Sequence, residues 1–491
     1  MALSEKSIRN IFIYSFPKFA GYGMTLITLP VLTRLLTPED FGIIILTAVF
    51  PTIAVNVLTL GLVSAAQRYY FEYRADSEKI DALIFSSQIF LYLSLVVSLF
   101  VVFFLKDYIS QLILGNTKYG MAVFVMFIAA FLGQIINFYL CIYQNMEKAA
   151  THSKFTIIKT VFTSIISLLL VWYFEMSYMG MIYGSFIGAF IVCGLIFFQF
   201  NKNHKLNFSS KILFENIKYG LQIMPKSLSG FIDKFFDKYM LNNMVSLSAV
   251  GVYNIGQTVG NTMFFLMSTV WSSFQPVYYK EIFDKGKDGS VSAGRIFTIF
   301  AYIALMPVLL IILFAQEIIH IIAPAPYHDA VDIIIIISGG VATQTFGMYV
   351  GVQYAYTKKA YWIFPVAVVG TISNVAANIV LIPRFGLIGA GFSTVISTCI
   401  VNGILTFMGQ KLYRIQYEWR IITKLYAIIT SAIVLILYLR VIEFNGVSAY
   451  LFKLTFIAFF IFAGIKAKLI TRQSIEKVQS ALFNFSKRER A

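Results

Sequence analysis

The sequence predicts an all-α protein that crosses a membrane many times, and three observations support this fold class. Hydrophobic residues make up 58% of the 491 positions, and the mean hydropathy is +0.77. Only 13% of the residues are charged, against about 25% in ordinary soluble domains. The apolar residues are gathered into runs of about 20, the length that a helix needs to span the hydrocarbon core of a bilayer. We therefore expect a polytopic membrane protein.

Taken in order, these runs predict about fourteen transmembrane helices. The first run, from Ile11 to Leu36, is too long for the apolar part of a signal peptide, so we expect it to stay in the protein as the first helix. The predicted spans lie near residues 11–34, 41–66, 82–105, 120–143, 155–174, 179–200, 217–238, 250–275, 296–319, 329–353, 361–382, 386–409, 423–440 and 447–465.

Basic residues are distributed unevenly between the two sides of these spans. About 29 of the 39 Lys and Arg residues fall in one set of alternating segments, about six in the other set, and four within spans. The first set includes Lys148, Lys154 and Lys159, as well as both termini. By the positive-inside rule, this set faces the cytoplasm. The outward loops are too short to hold a folded domain.

A shift of 209 residues superimposes parts of the first six predicted spans on the next six. Because each half holds an even number of spans, both copies have the same orientation, and the repeat is parallel. We expect an N-terminal six-helix lobe at 1–205, a second lobe at 206–415, two additional helices at 416–466 and a cytoplasmic tail at 467–491. The residues that match at this offset are Gly42 with Gly251, Tyr69 with Tyr278, Tyr70 with Tyr279, Glu72 with Glu281, Gln144 with Gln353, and Gly180 with Gly389.

The first and seventh predicted spans are interrupted by prolines at corresponding places. Pro17 and Pro225 match with a one-residue slip, and each removes a hydrogen bond from its helix. Gly230 follows Pro225 and permits local unwinding. In transporters built from repeats, interrupted spans of this kind point to the substrate site. We therefore expect Pro17, Pro225 and Gly230 to form hinges beside such a site.

Three stretches of sequence resemble a known family. These are TLPVLTRLLTPEDFGIIIL, GLVSAAQRYYFEY and GLIGAGFSTVIS, which are similar to the Wzx-type polysaccharide and O-antigen flippases of the multidrug/oligosaccharidyl-lipid/polysaccharide (MOP) exporter superfamily. The resemblance implies two six-helix lobes around a central cavity, with alternating access. It also implies movement of an undecaprenyl-diphosphate-linked oligosaccharide from the cytoplasmic to the outer leaflet of the bacterial inner membrane. Polysaccharide polymerases and chain-length regulators are the partners that it implies.

The seventh predicted span is unusually polar. Helical winding places Lys226 and Asp233 on one stripe, opposite a face of Phe and Leu side chains. A charge within a membrane costs about 2.5 to 3.5 kcal/mol on insertion scales, so it usually faces a water-filled cavity. Lys18 lies in the matching first span, and Arg68 lies at the cytoplasmic end of the second. We expect Lys18, Lys226 and Arg68 to bind an anionic head group, although Lys18 alternatively snorkels to the inner interface.

Other polar residues within the spans have open roles. Asn254, Gln257 and Asn261 share one face of the eighth span, and they either bind sugar hydroxyls or join neighbouring helices. Asp233 is the candidate for coupling transport to protons or sodium, because a carboxylate in such a place can exchange a proton or hold a cation. Asp237 is instead expected to belong to a static ion-pair network with Lys234 and Lys238. The last two spans are apolar except for Lys453, which we expect to snorkel outward while these spans shelter a lipid tail.

No residue pattern in the sequence indicates catalysis, a metal site or a bound cofactor. The sequence lacks a nucleophile elbow and a phosphate-binding loop, and its three cysteines lie far apart in apolar segments. The net charge of +16 reflects the cytoplasmic segments rather than nucleic-acid binding. A cation-coupled exporter of small molecules from the same superfamily remains an alternative, and the lysines within spans disfavour it. A membrane O-antigen polymerase is a weaker alternative, because no sizeable outer loop is present.

Overall fold

The computed structural model describes residues 5–202, 205–442 and 446–469. Within its helices, the side chains of residues 5–12, 14, 15, 18, 225–234 and 273 are outside the described set. Helices occupy nearly all of the described residues, and no strand is found among them. The predicted all-α membrane fold class is therefore confirmed.

The first half of the chain shows how local sequence signals set helix boundaries. The segment Thr37-Pro38-Glu39-Asp40 starts α2 with a capping box, in which the Thr37 side chain accepts from the Asp40 backbone and the Asp40 side chain accepts from Thr37. Proline follows at the first helical position, where its missing N–H is not needed. The helices are α1 (Glu5–Leu35), α2 (Pro38–Thr47), α3 (Val49–Leu58), α4 (Leu62–Glu72), α5 (Ser77–Leu114), α6 (Gly120–Asn145), α7 (Ala149–Trp172) and α8 (Ser177–Asn201).

The second half contains one helix that is divided by a sharp turn. Gly386 has φ 56° and ψ −127°, a conformation that glycine adopts more readily than other residues, and it splits α14 into two arms. Asn374 Nδ2 of the first arm donates to Ser397 Oγ of the second at 3.5 Å, so the arms form a helical hairpin. The helices are α9 (Ser210–Met244), α10 (Leu247–Lys285), α11 (Gly289–Leu313), α12 (Ala315–Ile322), α13 (Ala330–Tyr356), α14 (Ile363–Leu412), α15 (Trp419–Val441) and α16 (Val447–Lys466).

In the described part of the chain, ten helical stretches are long and apolar enough to cross a membrane. This protein is a multi-pass membrane protein. Each of the predicted spans overlaps a helix, and the two arms of α14 correspond to the spans near 361–382 and 386–409. α1 and α9 are not among the ten stretches, and α9 carries many charged residues. The number of membrane crossings remains a prediction.

The chain forms two compact units. Unit 1 consists of residues 1–254 and 320–328, and unit 2 consists of residues 255–319 and 329–491. In unit 1, α9 packs against α3, α4 and α5. The lobes predicted at 1–205 and 206–415 were defined by the sequence repeat, whereas the two units are defined by contacts within the structure. They remain a prediction.

Hydrogen bonds in unit 1 are exchanged between residues 209 positions apart. Thr33 Oγ1 donates to the carbonyl oxygen of Ile322 at 2.6 Å, and Asn242 Nδ2 donates to the carbonyl oxygen of Ile113 at 3.2 Å. Under the repeat offset, Thr33 is equivalent to Asn242, and Ile113 is equivalent to Ile322. The donor side chain therefore lies at the same position of both repeats, and so does the acceptor carbonyl. Reciprocity of this kind is the property of a two-fold axis.

Two glycines in unit 1 repeat the same exchange. Gly42 of α2 lies against the carbonyl oxygen of Leu247, and Gly251 of α10 lies against the carbonyl oxygen of Pro38. The offset of 209 again relates Gly42 to Gly251 and Pro38 to Leu247. A Cβ atom at either glycine would overlap the opposing carbonyl. The glycines therefore allow the starts of α2 and α10 to cross at close range.

Candidate functional site

Lys159 brings a positive charge into α7 of unit 1, a helix that is long and apolar enough to cross a membrane. α7 begins at Ala149, so Lys159 lies ten residues, or about 15 Å, along the helix. Its Nζ atom lies 3.5 Å from the position that a Cβ atom on Gly133 of α6 would occupy. No Asp or Glu side chain described by the structure forms an ion pair with this amine. The glycine therefore leaves room for a cation that has no described carboxylate beside it.

A polar stripe on α6 runs past this lysine. Gly133, Asn137, Cys141 and Gln144 recur at intervals of four, four and three residues, which places them on one face of the helix. Asn137 and Gln144 are exposed, whereas most aromatic residues on the other faces of α6 are buried. Polar side chains within a membrane usually face a protein interior or a water-filled cavity. The stripe and Lys159 together form the best candidate for a polar substrate surface in unit 1.

Arg68 lies on α4, where it is half-exposed and already has partners. Its guanidinium group forms an ion pair with Glu72 at 3.3 Å. It also lies 4.4 Å from the ring centre of Tyr219 on α9, and this ring packs edge-to-face with Tyr69. Glu72 neutralises part of the charge that was predicted to bind a head group. Arg68 therefore joins α4 to α9 in addition to any contact with a ligand.

Hydrogen bonds fix both ends of α9 within unit 1. Asn216 Nδ2 donates to Ser87 Oγ at 3.0 Å, and Tyr73 Oη donates to Glu215 Oε2 at the same distance. Burial, assisted by the bond to Glu215, raises the pKa of Tyr73 to about 12, so this hydroxyl keeps its proton at neutral pH. At the other end, Asn242 is held by the carbonyl of Ile113. The predicted binding segment of α9 thus lies between two anchored ends.

The predicted head-group and hinge residues lie on α1 and α9. α1 continues from Glu5 to Leu35 through Pro17, which is buried, and α9 continues from Ser210 to Met244. Most of these predicted residues fall outside the described side chains. Their roles in binding, coupling and flexing remain predictions, and the residues concerned are Lys18, Pro225, Lys226, Gly230 and Asp233.

Three amide residues of α10 lie on the side of the helix that is turned away from α13. Gly256 lies on the opposite side, where it packs closely on Ile333. Asn254 and Gln257 are half-buried, and Asn261 is exposed. The amides therefore lie on a different face of α10 from the glycine that packs on α13. The two roles that the sequence allows, binding sugar hydroxyls and joining neighbouring helices, both remain predictions.

The end of α9 holds a buried ion pair. Lys238 Nζ lies 3.7 Å from Asp237 Oδ1, and the two side chains are 4% and 1% exposed. Lys238 also approaches the ring of Tyr253, with 5.7 Å between its Nζ atom and the ring centre. The pair matches the static pairing that the sequence favoured over a coupling role for Asp237.

Two acid–base pairs in unit 2 did not emerge from the sequence. Lys453 of α16 is buried and bonded to Glu317 of α12, so the expectation that it snorkels outward is wrong. Arg440 of α15 lies 3.0 Å from Asp332 of α13. A charge in an apolar span needs a partner, and this rule could have prompted a search for one. The identity of the partner depends on tertiary contacts, because Lys453 and Glu317 are 136 positions apart.

The side chains at this candidate site are suited to binding rather than to metal chemistry. Within residues 5–202, 205–442 and 446–469, no group of three His, Cys, Asp or Glu residues could hold a metal ion. An amine and a row of amides can instead bind phosphate oxygens and sugar hydroxyls through hydrogen bonds. Neither group requires a cofactor for this task.

Comparison with known protein families identifies the family of the chain. A family model described as "Polysaccharide biosynthesis protein" matches residues 7–278, which is more than half of the sequence. The chain belongs to this family. The matched region includes α6, α7 and α9, which carry the candidate site in unit 1.

This polysaccharide biosynthesis protein shares its fold with solved transporters of the MOP superfamily. The lipid II flippase MurJ, in an inward closed conformation, matches with a TM-score of 0.72 and 13% identity, over 93% of this chain and 99% of that chain. An inward-facing multidrug resistance transporter of the MATE family matches with a TM-score of 0.65 and 16% identity, over 79% and 94% of the two chains. The family model thus confirms the predicted resemblance to polysaccharide biosynthesis proteins, and the fold is that of the solved MOP transporters.

A sequence relative extends the match beyond the region covered by the family model. An uncharacterized membrane protein of Methanocaldococcus jannaschii is 24% identical over 450 residues, which make up 85% of this chain and 86% of the relative. The aligned region therefore spans most of both proteins. This polysaccharide biosynthesis protein accordingly has a relative that is similar across most of its helices.

Proposed function

We propose that this protein is a flippase that moves an undecaprenyl-diphosphate-linked oligosaccharide repeat unit from the cytoplasmic to the outer leaflet of the bacterial inner membrane. Membership of the polysaccharide biosynthesis family supports this role. The observation that carries the proposal is Lys159, a cation on the apolar helix α7 for which the described residues form no ion pair. A charge in that place is costly unless it meets water or an anion.

The diphosphate of a lipid-linked sugar explains why cations would be needed. An isolated ion costs on the order of 20 kcal/mol to move from water into a low-dielectric medium, before relaxation. Fixed amines in a wet cavity replace part of the hydration that the diphosphate loses. In this proposal, Lys159 binds the diphosphate together with Lys18 and Lys226, and Arg68 contributes near the cytoplasmic entrance.

Neutral polar side chains would meet the sugar. Asn137 and Gln144 of α6 are exposed on the same stripe as Gly133, which lies beside Lys159. Amides donate and accept hydrogen bonds, so they suit sugar hydroxyls of varied orientation. We assign the same role to the amides of α10, which are Asn254, Gln257 and Asn261. The polyprenyl tail remains in lipid, so that only the head group enters the polar path.

Movement would follow alternating access, with the hinges at Pro17, Pro225 and Gly230. The repeat supports this mechanism, because transporters with internal repeats rock one half against the other around a fixed site. Asp233 is the proposed coupling residue, and protons or sodium are the ions that it would bind. No other cofactor is needed. Both termini face the cytoplasm, as the excess of basic residues in the inner segments predicts.

The proposed partners follow from the proposed cargo. A repeat unit delivered to the outer leaflet must be joined into a longer chain, so a polysaccharide polymerase and a chain-length regulator would act next. The protein itself would perform no catalysis. An O-antigen polymerase therefore stays the least favoured alternative for this chain.

A multidrug-type exporter of small cations is the second candidate. It is motivated by the fold shared with a MATE transporter. A cation exporter would be expected to place carboxylates along its cavity, because opposite charges attract the cargo. Lys159 disfavours this candidate, since a lysine in the path repels cationic cargo.

The two candidates are separated by reconstitution of the full-length protein into proteoliposomes. One arm measures transfer of polyprenyl-diphosphate oligosaccharides between leaflets, and the other measures efflux of organic cations, each against empty liposomes. We expect transfer of at least one glycan lipid and no efflux of cations. Efflux of cations without transfer of any glycan lipid would replace the flippase proposal with the exporter.

A further inference from the structure

Unit 2 contains a groove that the proposed transport path does not use. Its volume is about 1270 Å³, and it is lined by α15 and α16 together with Arg295 of α11. The lining is apolar over most of its length, where Leu425 and Ile428 face the aromatic rings of Phe456, Phe459 and Phe462. An apolar groove on a membrane helix pair suits hydrocarbon chains.

One end of the groove is strongly basic. Arg420 and Lys424 line it from the first turns of α15, and Lys466 and Lys468 line it from the end of α16. All four side chains are exposed, and none has an ion-pair partner within the part of the chain that the structure describes. Four free cations beside an apolar groove complement a lipid with a negatively charged head group.

The one acidic residue among the groove lining is already neutralised. Glu418 pairs with Arg295, whose Nη1 atom lies 3.1 Å and 3.2 Å from the two carboxylate oxygens. Arg295 Nη2 also donates to the carbonyl oxygens of Ala467 and Lys468, at 3.2 Å and 2.8 Å. These bonds hold the starting turn of α15 against the last residues of α16. These hydrogen bonds therefore hold the basic end in place, and its net charge is positive.

Packing holds the far side of α16 in place as well. The ring of Phe460 stacks on Tyr302 of α11, with 5.0 Å between the ring centres and an angle of 10° between the planes. Gly464 lets the same tyrosine approach the α16 backbone closely. These contacts fix the helix on the side away from the groove, so the groove is a stable feature of unit 2.

The depth of the groove matches one leaflet. From Thr455 to Lys466 it follows α16 for eleven residues, which corresponds to about 16 Å of helix. Half of a hydrocarbon core measures about 15 Å. Acyl chains that start at the basic end would therefore finish near the middle of the bilayer.

We propose that this groove is a binding site for an anionic phospholipid of the leaflet at the basic end, which is the cytoplasmic leaflet by the positive-inside rule. The phosphate binds Arg420, Lys424, Lys466 and Lys468, and the acyl chains lie along the aromatic rings. A polyprenyl-linked substrate fits less well. Its head group must leave this leaflet during transport, whereas the cations are fixed at one interface. The groove thus holds a resident lipid rather than the cargo.

The test uses native mass spectrometry of the full-length protein in mild detergent, titrated separately with phosphatidylglycerol, phosphatidylcholine and undecaprenyl phosphate. We expect phosphatidylglycerol to bind most tightly. The double variant Arg420→Gln/Lys424→Gln should weaken its affinity by about 5-fold for each cation removed, or about 25-fold in total. Binding of phosphatidylcholine should not change.

Two further variants keep the result interpretable. Lys280→Gln/Lys359→Gln removes two exposed cations of unit 2 that do not line the groove, and it should keep the wild-type affinity for phosphatidylglycerol. Ala463→Trp fills the groove and should weaken both phospholipids. Equal losses of phosphatidylglycerol in the two double variants would overturn the site. A higher affinity for undecaprenyl phosphate than for phosphatidylglycerol, lost in Arg420→Gln/Lys424→Gln, would assign the groove to the cargo instead.

Discussion

Lys159 is the residue on which the candidate site depends most. It lies about 15 Å along α7, beside the open position at Gly133. The neighbouring α6 stripe offers amides, which can solvate a charge but cannot neutralise it. A lysine held in these surroundings is ready to bind an anion. This geometry is the reason for placing the diphosphate in unit 1.

At the same scale, the buried pair of Asp237 and Lys238 makes a prediction about stability. Asp237→Asn removes a buried carboxylate charge 3.7 Å from the amine of Lys238, so we expect a loss of about 3 to 5 kcal/mol. The double variant Asp237→Leu/Lys238→Met removes both charges and should recover most of that loss. Thermal unfolding in detergent measures both effects. A double variant that is no more stable than Asp237→Asn would show that the pair is not the source of the loss.

Lys159 also shows what the sequence could not predict about single residues. The predicted span at 155–174 contains Lys159, but the count of basic residues grouped it with the preceding cytoplasmic segment. It was therefore not singled out as a cation within a span. The sequence also could not show that Gly133 of α6 lies beside this amine, because that contact depends on tertiary packing. The partners of Lys453 and Arg440 escaped prediction for a related reason, since they lie on helices that are distant in sequence.

At the scale of helices, the sequence predicted more. Long apolar runs locate helices reliably because a backbone in lipid must satisfy its own hydrogen bonds. The predicted spans near 361–382 and 386–409 leave only a short connection between them, and Gly386 adopts a positive φ there. The offset of 209 residues predicted that Gly42 and Gly251 are equivalent, and they make exchanged contacts. Unlike these local features, the side-chain contacts between helices require the tertiary structure.

The exchanged glycine contacts lead to a second prediction about stability. Gly42→Ala and Gly251→Ala each push a Cβ atom into an opposing carbonyl, so both should lower the thermal unfolding temperature, and by similar amounts. Gly194→Ala is the control, because nothing lies within 4 Å of a Cβ atom there. Alanine favours a helix over glycine by roughly 1 kcal/mol, so the control should be neutral or stabilising. If Gly194→Ala lowered the unfolding temperature as much as Gly42→Ala, the contact with the opposing carbonyl could not explain the loss.

At the scale of the whole molecule, a multi-pass helical chain with an internal repeat carries a polar surface in one unit and a basic, apolar groove in the other. The two features suit different ligands. In the proposed function, the stripe in unit 1 would bind a head group that crosses the membrane, whereas the groove in unit 2 is proposed to hold a lipid that stays in one leaflet. Variants of Arg420 and Lys424 should therefore change lipid binding without abolishing transfer at saturating phospholipid.

The most direct test of the proposed function measures leaflet transfer of a polyprenyl-diphosphate oligosaccharide by Lys159→Ala, Lys159→Arg and the control Lys154→Ala, at equal reconstitution. Lys154 is exposed on the same helix, so its loss changes the charge of α7 outside the site. A hydrogen bond to a charged group contributes about 1.5 to 3 kcal/mol, so Lys159→Ala should slow transfer by roughly 10- to 100-fold. Lys159→Arg should keep most of the rate, and Lys154→Ala all of it. Transfer by Lys159→Ala at the wild-type rate would contradict a diphosphate site at this lysine.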